Sequence, residues 1–233
     1  MTLNELVYDI INTSRGGTTS DDEDISNELI KFWIKTTRAL LIRQDINKGR
    51  TISENIITNI ECQEIIQVDS SDCSCMGLDA DCTIWRTKDK MPKLIEVGEE
   101  DLLLRVSPSE KLSIAYTITN QVRIPFVKHS RYSKARFAFW YNQYVYVVDP
   151  YHYNTMITIK AVLEDPEEAC ALKNCSTGNV CCDDNTEFPL SAWMVDAVKK
   201  TILKEYIRVA VVAPNDISGD SKSNPVQLIQ QDQ

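Results

Sequence analysis

Eight cysteines are the residues of this 233-residue chain best equipped for chemistry. Cys73, Cys75 and Cys82 fall within ten residues, and Cys170, Cys175, Cys181 and Cys182 within thirteen, while Cys62 stands apart. Clustered thiolates are what a structural zinc site needs. The spacing is poor for one: no C-x-x-C pair occurs, and His129 and His152 lie near neither cluster. These seven clustered cysteines are therefore weak metal candidates, and no cofactor is expected. The N-terminus "MTLNELVYDI" lacks the basic stretch of a signal peptide. The chain is expected to be made and assembled in a cytosol, where disulfides are disfavoured. Plain buried or loop thiols are the leading expectation, with zinc and later oxidation left open.

Other reactive constellations are missing from the sequence. There is no G-x-G-x-x-G, Walker A, H-E-x-x-H or G-x-S-x-G. With two histidines and no partner motif beside either, general acid–base work has few possible centres. Acid pairs such as Glu99–Glu100 and Glu167–Glu168 read as solvated charge beside turns and at a helix start. No cysteine has an evident base beside it, so a thiol nucleophile is disfavoured. The chain is expected to be no enzyme.

Charge narrows the partners. The net charge of −9 argues against a general nucleic-acid binder, whose affinity comes from neutralising phosphates. Yet from Lys111 to Val148 no acid occurs, while Lys111, Arg123, Lys128, Arg131, Lys134 and Arg136 do. A basic patch on an acidic body suits self-association or an acidic partner. The alternative is a nucleic-acid-binding accessory protein acting through the basic hairpin 123–136, whose bases interleave with Tyr132, Phe137, Phe139 and Trp140. Strand alternation places at least half of those aromatics in a sheet core, which weakens that alternative. No apolar run approaches the roughly 18 residues of a membrane span.

The elements that position these residues follow from periodicity. Leu3, Leu6, Val7, Ile10 and Ile11 repeat at helical spacing, with Thr2 and Glu5 as a capping box. A break at Gly16–Gly17 precedes a second helix expected over about 21–45, capped by Ser20 and Glu23. On it Lys31, Lys35 and Arg38 form a narrow polar strip, and apolar residues cover roughly twice the 100° that one packed face needs. The face of Ile30, Ile34 and Leu41 is expected to meet a neighbouring subunit or a second helix, and the basic strip to pair with acids across a subunit boundary. From about Ile60 the period changes to two, through runs at 65–68, 82–86, 94–97, 102–106, 112–118, 122–126, 137–148 and 156–163. "YNQ" supplies the turn of the clearest hairpin. A last helix begins near Ser191, and a polar tail after Pro214 carries one apolar cluster, Val226, Leu228 and Ile229.

The fold class expected is α+β: a helical bundle from both chain ends, an inserted antiparallel β-sandwich or barrel, and an extended C-terminal tail. The expected divisions are 1–59 for the N-terminal helices, 60–163 for the β domain, 164–213 for a short helix, Cys-rich loop and bundle helix, and 214–233 for the tail.

Five stretches carry a resemblance: "LNELVYDIIN", the Gly-Gly break with "SDDEDIS", "FWIKTTRALLIRQDINKGR", and "EFPLSAWMVDAVKKTIL" near the C-terminus. Over the first fifty residues and again over 187–203 the sequence resembles a structural virion protein of the crAss-like phages of Bacteroidetes. In that family such a protein resembles a head-to-tail ring component stacked below the portal. The resemblance implies a self-assembling ring, by analogy twelvefold, with the portal and other connector or tail rings as partners. It implies DNA only as cargo passing through a channel, and no membrane. It is looser through the β region, and the cysteine clusters are no part of it. Under it, Ile30, Lys31, Ile34, Lys35, Arg38 and Leu41 become expected interface residues of the second helix. Lys128, Arg131 and Lys134 are expected to meet another ring, and Val226, Leu228 and Ile229 the portal or a neighbouring subunit.

Overall fold

The computed structural model describes residues 1–14, 25–68, 84–98, 100–124, 136–149, 155–172 and 186–207. It opens with helix α1, Leu3–Ser14. The expected capping box forms: the Thr2 amide donates to Glu5 Oε2 at 2.8 Å, and the Glu5 amide donates to Thr2 Oγ1 at 3.1 Å.

Helix α2 spans Asn27–Asn47. It starts later than expected because Ser26 is its cap, with its side chain accepting from the Leu29 amide at 3.2 Å. The Ser20–Glu23 box falls outside the described residues. Its C-terminus stops at "NKGR". Gly49 takes φ +74°, its amide donates to Ile46 O at 2.8 Å, and the Arg50 amide donates to Asp45 O at 3.0 Å. That is a Schellman close, in which glycine adopts the left-handed conformation that other residues avoid.

Among the described residues nine strands follow: β1 Thr58–Gln67, β2 Ile84–Thr87, β3 Glu96–Val97, β4 Glu100–Asp101, β5 Leu103–Pro108, β6 Thr117–Ile118, β7 Phe137–Tyr141, β8 Tyr144–Val148 and β9 Met156–Ala161. Seven form one sheet in the order β5-β9-β1-β2-β8-β7-β6, and β3 and β4 make a separate hairpin. The two edges of the large sheet approach each other, with the Tyr116 amide beside β6 donating to Val106 O of β5 at 2.8 Å. The result is a nearly closed, barrel-like sheet. Strand β1 makes the curvature possible. Its first half pairs with β9 and its end with β2, and a bulge between Ile60 and Gln63 bends it, with Cys62 at φ +53°. The β7–β8 turn is the expected one: Asn142 and Gln143 both take positive φ and Tyr141 faces Tyr144 across it.

Three strand expectations are corrected. The run 112–118 is a strand only at Thr117–Ile118, and 122–126 begins instead with a 3-10 turn at Gln121–Arg123, where Asn120 caps the Val122 amide. Strand β6 also pairs with β7 in parallel, so the sheet is not wholly antiparallel. Helix α3, Ala192–Thr201, ends in a π-helical turn at Ile202–Ile207 rather than running on as regular helix.

Burial divides the interior. Ile60, Val106, Ala138, Val145, Val147, Ile157 and Ile159 fill the sheet's concave side. Phe139 and Tyr146 stack on its other side, their rings 5.0 Å apart. Leu3, Leu6, Val7 and Ile10 of α1 share a third cluster with Ile30 and Ile34 of α2, and with Val198 and Ile202 at the other end of the chain. A fourth joins helices to sheet: Ala39 and Ile42 of α2 and Met194 of α3 pack with Ile56, Ile95 and Val162.

Candidate functional site: the two faces of α2

The orientation of α2 is set by Arg38. Its guanidinium is fully buried. Nε donates to Pro189 O at 2.7 Å, Nη1 to Leu163 O at 2.7 Å and Nη2 to Ile56 O at 3.3 Å, and the group lies 5.7 Å from the centre of the Phe188 ring. Three segments distant in sequence thereby converge on one side chain: the 3-10 turn Glu54–Ile56 before β1, the end of β9, and the approach to α3. Burial lowers the arginine pKa to about 10, against the opposing pull of the Asp165 charge.

Lys35 lies one turn away and is also turned inward. Its Nζ meets Asp165 Oδ2 at 2.7 Å and Glu167 Oε2 at 2.6 Å. Both acids belong to the start of the 3-10 segment Pro166–Ala171, where Asp165 is the cap ahead of Pro166 and accepts from the Glu167 amide at 3.0 Å. Burial acts to lower the lysine pKa, but the hydrogen bonds and charges of the two carboxylates outweigh it and raise the pKa. The partners expected across a subunit boundary are thus found within the chain for Lys35. Lys31 reaches Glu28 of its own helix at 3.6 Å.

The basic strip therefore faces the protein. Nine positions at about 100° each bring Leu29 roughly 180° round the helix from Arg38. That opposite face is exposed and apolar: Leu29 is 39% exposed, Phe32 61% and Leu40 45%. Thr36 lies between them, also exposed, its hydroxyl returned to Phe32 O at 2.9 Å. Ile30 and Ile34, expected at a neighbour or a second helix, are buried within the subunit against α1 and the α3 end, and Leu41 is half-buried between two clusters. The over-wide apolar arc is real, but its exposed part is Leu29, Phe32 and Leu40. An outward basic strip would turn these three inward; the signal in the sequence is an aromatic on the side opposite the bases.

The remaining expected site residues divide by position. Lys128, Arg131, Lys134, Val226, Leu228 and Ile229 lie outside the described residues, as do Cys73, Cys75, Cys82, Cys175, Cys181, Cys182, His129 and His152. Cys170 and Cys62 are disulfide-bonded, which corrects the expectation of plain thiols for these two and removes Cys170 as a zinc ligand. Among the described residues no group of three or more His, Cys, Asp or Glu side chains could hold a metal ion. No described helix is long and apolar enough to cross a membrane. A cleft of about 570 Å³ between α2, the β3–β4 hairpin and the β7–β8 turn is lined by Arg43, Lys93, Glu96, Asp101, Tyr141 and Glu164 among others. Its lining holds no cysteine, serine, threonine or histidine. Arg43 is already committed to Glu164 at 3.5 Å and to Glu96 O at 3.2 Å.

What the arrangement offers is adhesion: a rigid helix, pinned by its charges from within, showing a greasy stripe to the outside. No curated protein sequence matches the chain. The sequence pattern of a family described as phage tail ring protein 2 matches residues 5–233. With a match over nearly its whole length, the chain belongs to this crAss-like phage tail ring protein family.

Proposed function

We propose that the chain is a non-enzymatic structural subunit of the virion that forms a ring in the connector between portal and tail, with DNA passing through its channel. The observation that carries the reading is membership of the tail ring protein family over residues 5–233. The pinned helix with one apolar face outward supports it, because a ring subunit needs rigid lateral faces. The lateral contact of a ring is heterologous: two different patches of each subunit meet, and rotation closes the set. By analogy with portals the ring is twelvefold. Its neighbours are the portal and the other connector or tail rings. The basic segment with Lys128, Arg131 and Lys134 meets an adjacent ring, and the tail after Pro214, with Val226, Leu228 and Ile229, lies on the portal or an adjacent subunit. The acidic balance of −9 suits a channel that repels the phosphate backbone and lets DNA slide. Assembly takes place in the bacterial cytoplasm.

The test is to express the chain alone and together with its portal, and to measure particle mass and metal content. A closed oligomer in either sample, without stoichiometric zinc, is expected. A chain that stays monomeric in both sinks the ring. Retention on DNA that falls steeply with salt would instead favour nucleic-acid binding through 123–136.

A further inference from the structure

We infer that Arg86, on the outer face of the sheet, is a carboxylate-binding site, and that it takes an acidic side chain of a second copy of this chain; the second copy rests on the ring reading. The register lays out this face. Ile66 of β1, Arg86 of β2, Tyr146 of β8 and Phe139 of β7 stand in one row across four strands. Two residues along each strand come Glu64, Lys88, Tyr144 and Tyr141, on the same side of the sheet. Phe139 stacks on Tyr146 at 5.0 Å, and Tyr146 meets Tyr144 edge-on at 6.5 Å. The half-buried Arg86 lays its guanidinium over the Tyr144 ring, 4.6 Å from the ring centre. Packed aromatics thus hold the cation in one place before any ligand arrives.

What this arginine lacks is an anion. Its Nε is closed off from water and has no hydrogen-bond partner. Arg38, Arg43 and Arg50, by contrast, each reach a carbonyl or a carboxylate. The acid of the two rows, Glu64, is already paired with Lys88 at 2.8 Å. A buried donor without an acceptor weighs against the folded subunit. A carboxylate relieves it, because two parallel hydrogen bonds fit the planar edge of a guanidinium. Charge then selects the source. Glu64 stands in the adjoining row, and the chain carries 34 acids against 25 bases, so a long phosphate polymer is repelled where a single carboxylate is not. The same excess makes a second copy a ready donor. Glu100, Glu110, Glu168 and Glu205 are exposed, and none of them enters an ion pair among the described residues. Strand β2 packs on β1 and β8, and none of the four belongs to either. The contact therefore joins two different patches, as a closed ring requires.

The experiment uses Arg86→Leu and Arg86→Lys. Leucine removes the unmatched donor together with the charge, so the folded subunit is expected to melt at or above the wild-type temperature. Particle mass is then read against concentration. Arg86→Leu is expected to need about tenfold more chain, or beyond, to close rings. Arg86→Lys keeps the charge without the fork and is expected to fall between the two. A carbodiimide joins an amine to a touching carboxylate with no spacer. In rings made from a mixture of isotope-labelled and unlabelled Arg86→Lys, it is expected to link position 86 to an acidic residue of another copy, read by peptide mass. Should Arg86→Leu fail to fold, that link decides. An Arg86→Leu that folds and closes rings at the wild-type concentration overturns the inference and leaves the ring reading standing. So do rings in which position 86 links only within its own chain, or only to the portal. Salt-sensitive retention on single-stranded DNA that Arg86→Leu loses would hand the site to nucleic acid, which also overturns the inference. A wild type that never exceeds a monomer, with or without the portal, overturns the ring reading itself and with it the partner named here.

Discussion

Replacing Arg38 by Met tests whether the charge inside α2 is what orients the helix. The physical terms are large and opposed. Burial holds the guanidinium pKa down at about 10, a cost of about 3 kcal/mol against the charged form. Hydrogen bonds from an ionised donor return about 1.5–3 kcal/mol each, and Arg38 makes three of them to main-chain carbonyls. Methionine fills similar volume and removes the charge, but it leaves buried carbonyl oxygens without their donor, at about 1–3 kcal/mol apiece. A net loss of about 3 kcal/mol is expected. Arg38→Lys keeps the charge but cannot span Pro189, Leu163 and Ile56 with one ammonium, and is expected to cost about 2 kcal/mol. Urea unfolding of the subunit under conditions that keep it unassembled measures both, through the shift in midpoint at constant slope. Because Arg38 is protonated in folded and unfolded chains alike up to about pH 9, the Arg38→Met loss should be independent of pH below that. The reasoning is refuted if Arg38→Met is as stable as the wild type or more so, as happens where an apolar replacement repacks a buried charge site.

Four further outcomes follow from other contacts. Ile34→Ala, deep between α1 and the α3 end, should cost about 2–5 kcal/mol by cavity formation, whereas Phe32→Ala should shift stability by about 0.5 kcal/mol or less; thermal melts of the two variants compare the inner and outer faces of α2. Lys35 has a folded pKa raised above 10.5, so its contribution is complete below that pH and is lost as pH climbs through the raised value. Above pH 10.5 melting temperatures should fall more steeply for the wild type than for Lys35→Met, which at pH 8 is destabilised by about 1 kcal/mol. Asp101 faces Glu96 directly across the β3–β4 hairpin, and burial first, then the Glu96 charge, raise its carboxyl pKa. Ionised Asp101 is thus a strain on the fold: Asp101→Asn should stabilise by about 0.5 kcal/mol at neutral pH, and the gain should vanish as pH falls below 3.8, where folded and unfolded chains both carry the proton. Alkylation of the unreduced, denatured protein followed by peptide mass analysis should leave Cys62 and Cys170 unlabelled, and reduction should lower stability by about 2–4 kcal/mol.

Much of the local structure was legible because its causes are local. The Thr2–Glu5 box, the Gly49 stop, the Asp165 cap ahead of Pro166 and the tight turn at Asn142–Gln143 each depend on a few adjacent residues, and each is found where its residues stand. The parallel pairing of β6 with β7 was not legible, since it joins a two-residue strand to one almost twenty residues later and no turn signal marks it. Nor was Cys62, which sits at a bulge set by the bend of β1 between two partners. The rotation of α2 is the instructive failure. Periodicity gives the relative angles of side chains on a helix, not which angle points inward. Ranking bases as outward residues is right for most surface helices. Here the carbonyls of Ile56, Leu163 and Pro189 and the carboxylates of Asp165 and Glu167 supply the missing partners, and none of them is near α2 in sequence.

That inversion bears on assembly. Apolar contact fixes how strongly two helices adhere but is tolerant of rotation, because dispersion and water release are nearly non-directional. A guanidinium held by three carbonyls is directional, and it allows one rotation of α2 about its axis. On the proposed ring reading, the charge inside means that each copy holds Leu29, Phe32 and Leu40 at the same angle before it meets a neighbour. Rotational closure of a ring multiplies any angular error by the number of subunits, so the angle must be set within the subunit rather than at the contact. A loosened α2, as in Arg38→Met, should therefore broaden or shift the distribution of ring sizes at temperatures where the subunit is still folded. Particle-mass distributions measured well below the melting transition check this. A variant that closes rings with the same mass and the same spread as the wild type would show that the contact itself, not the buried arginine, sets the angle.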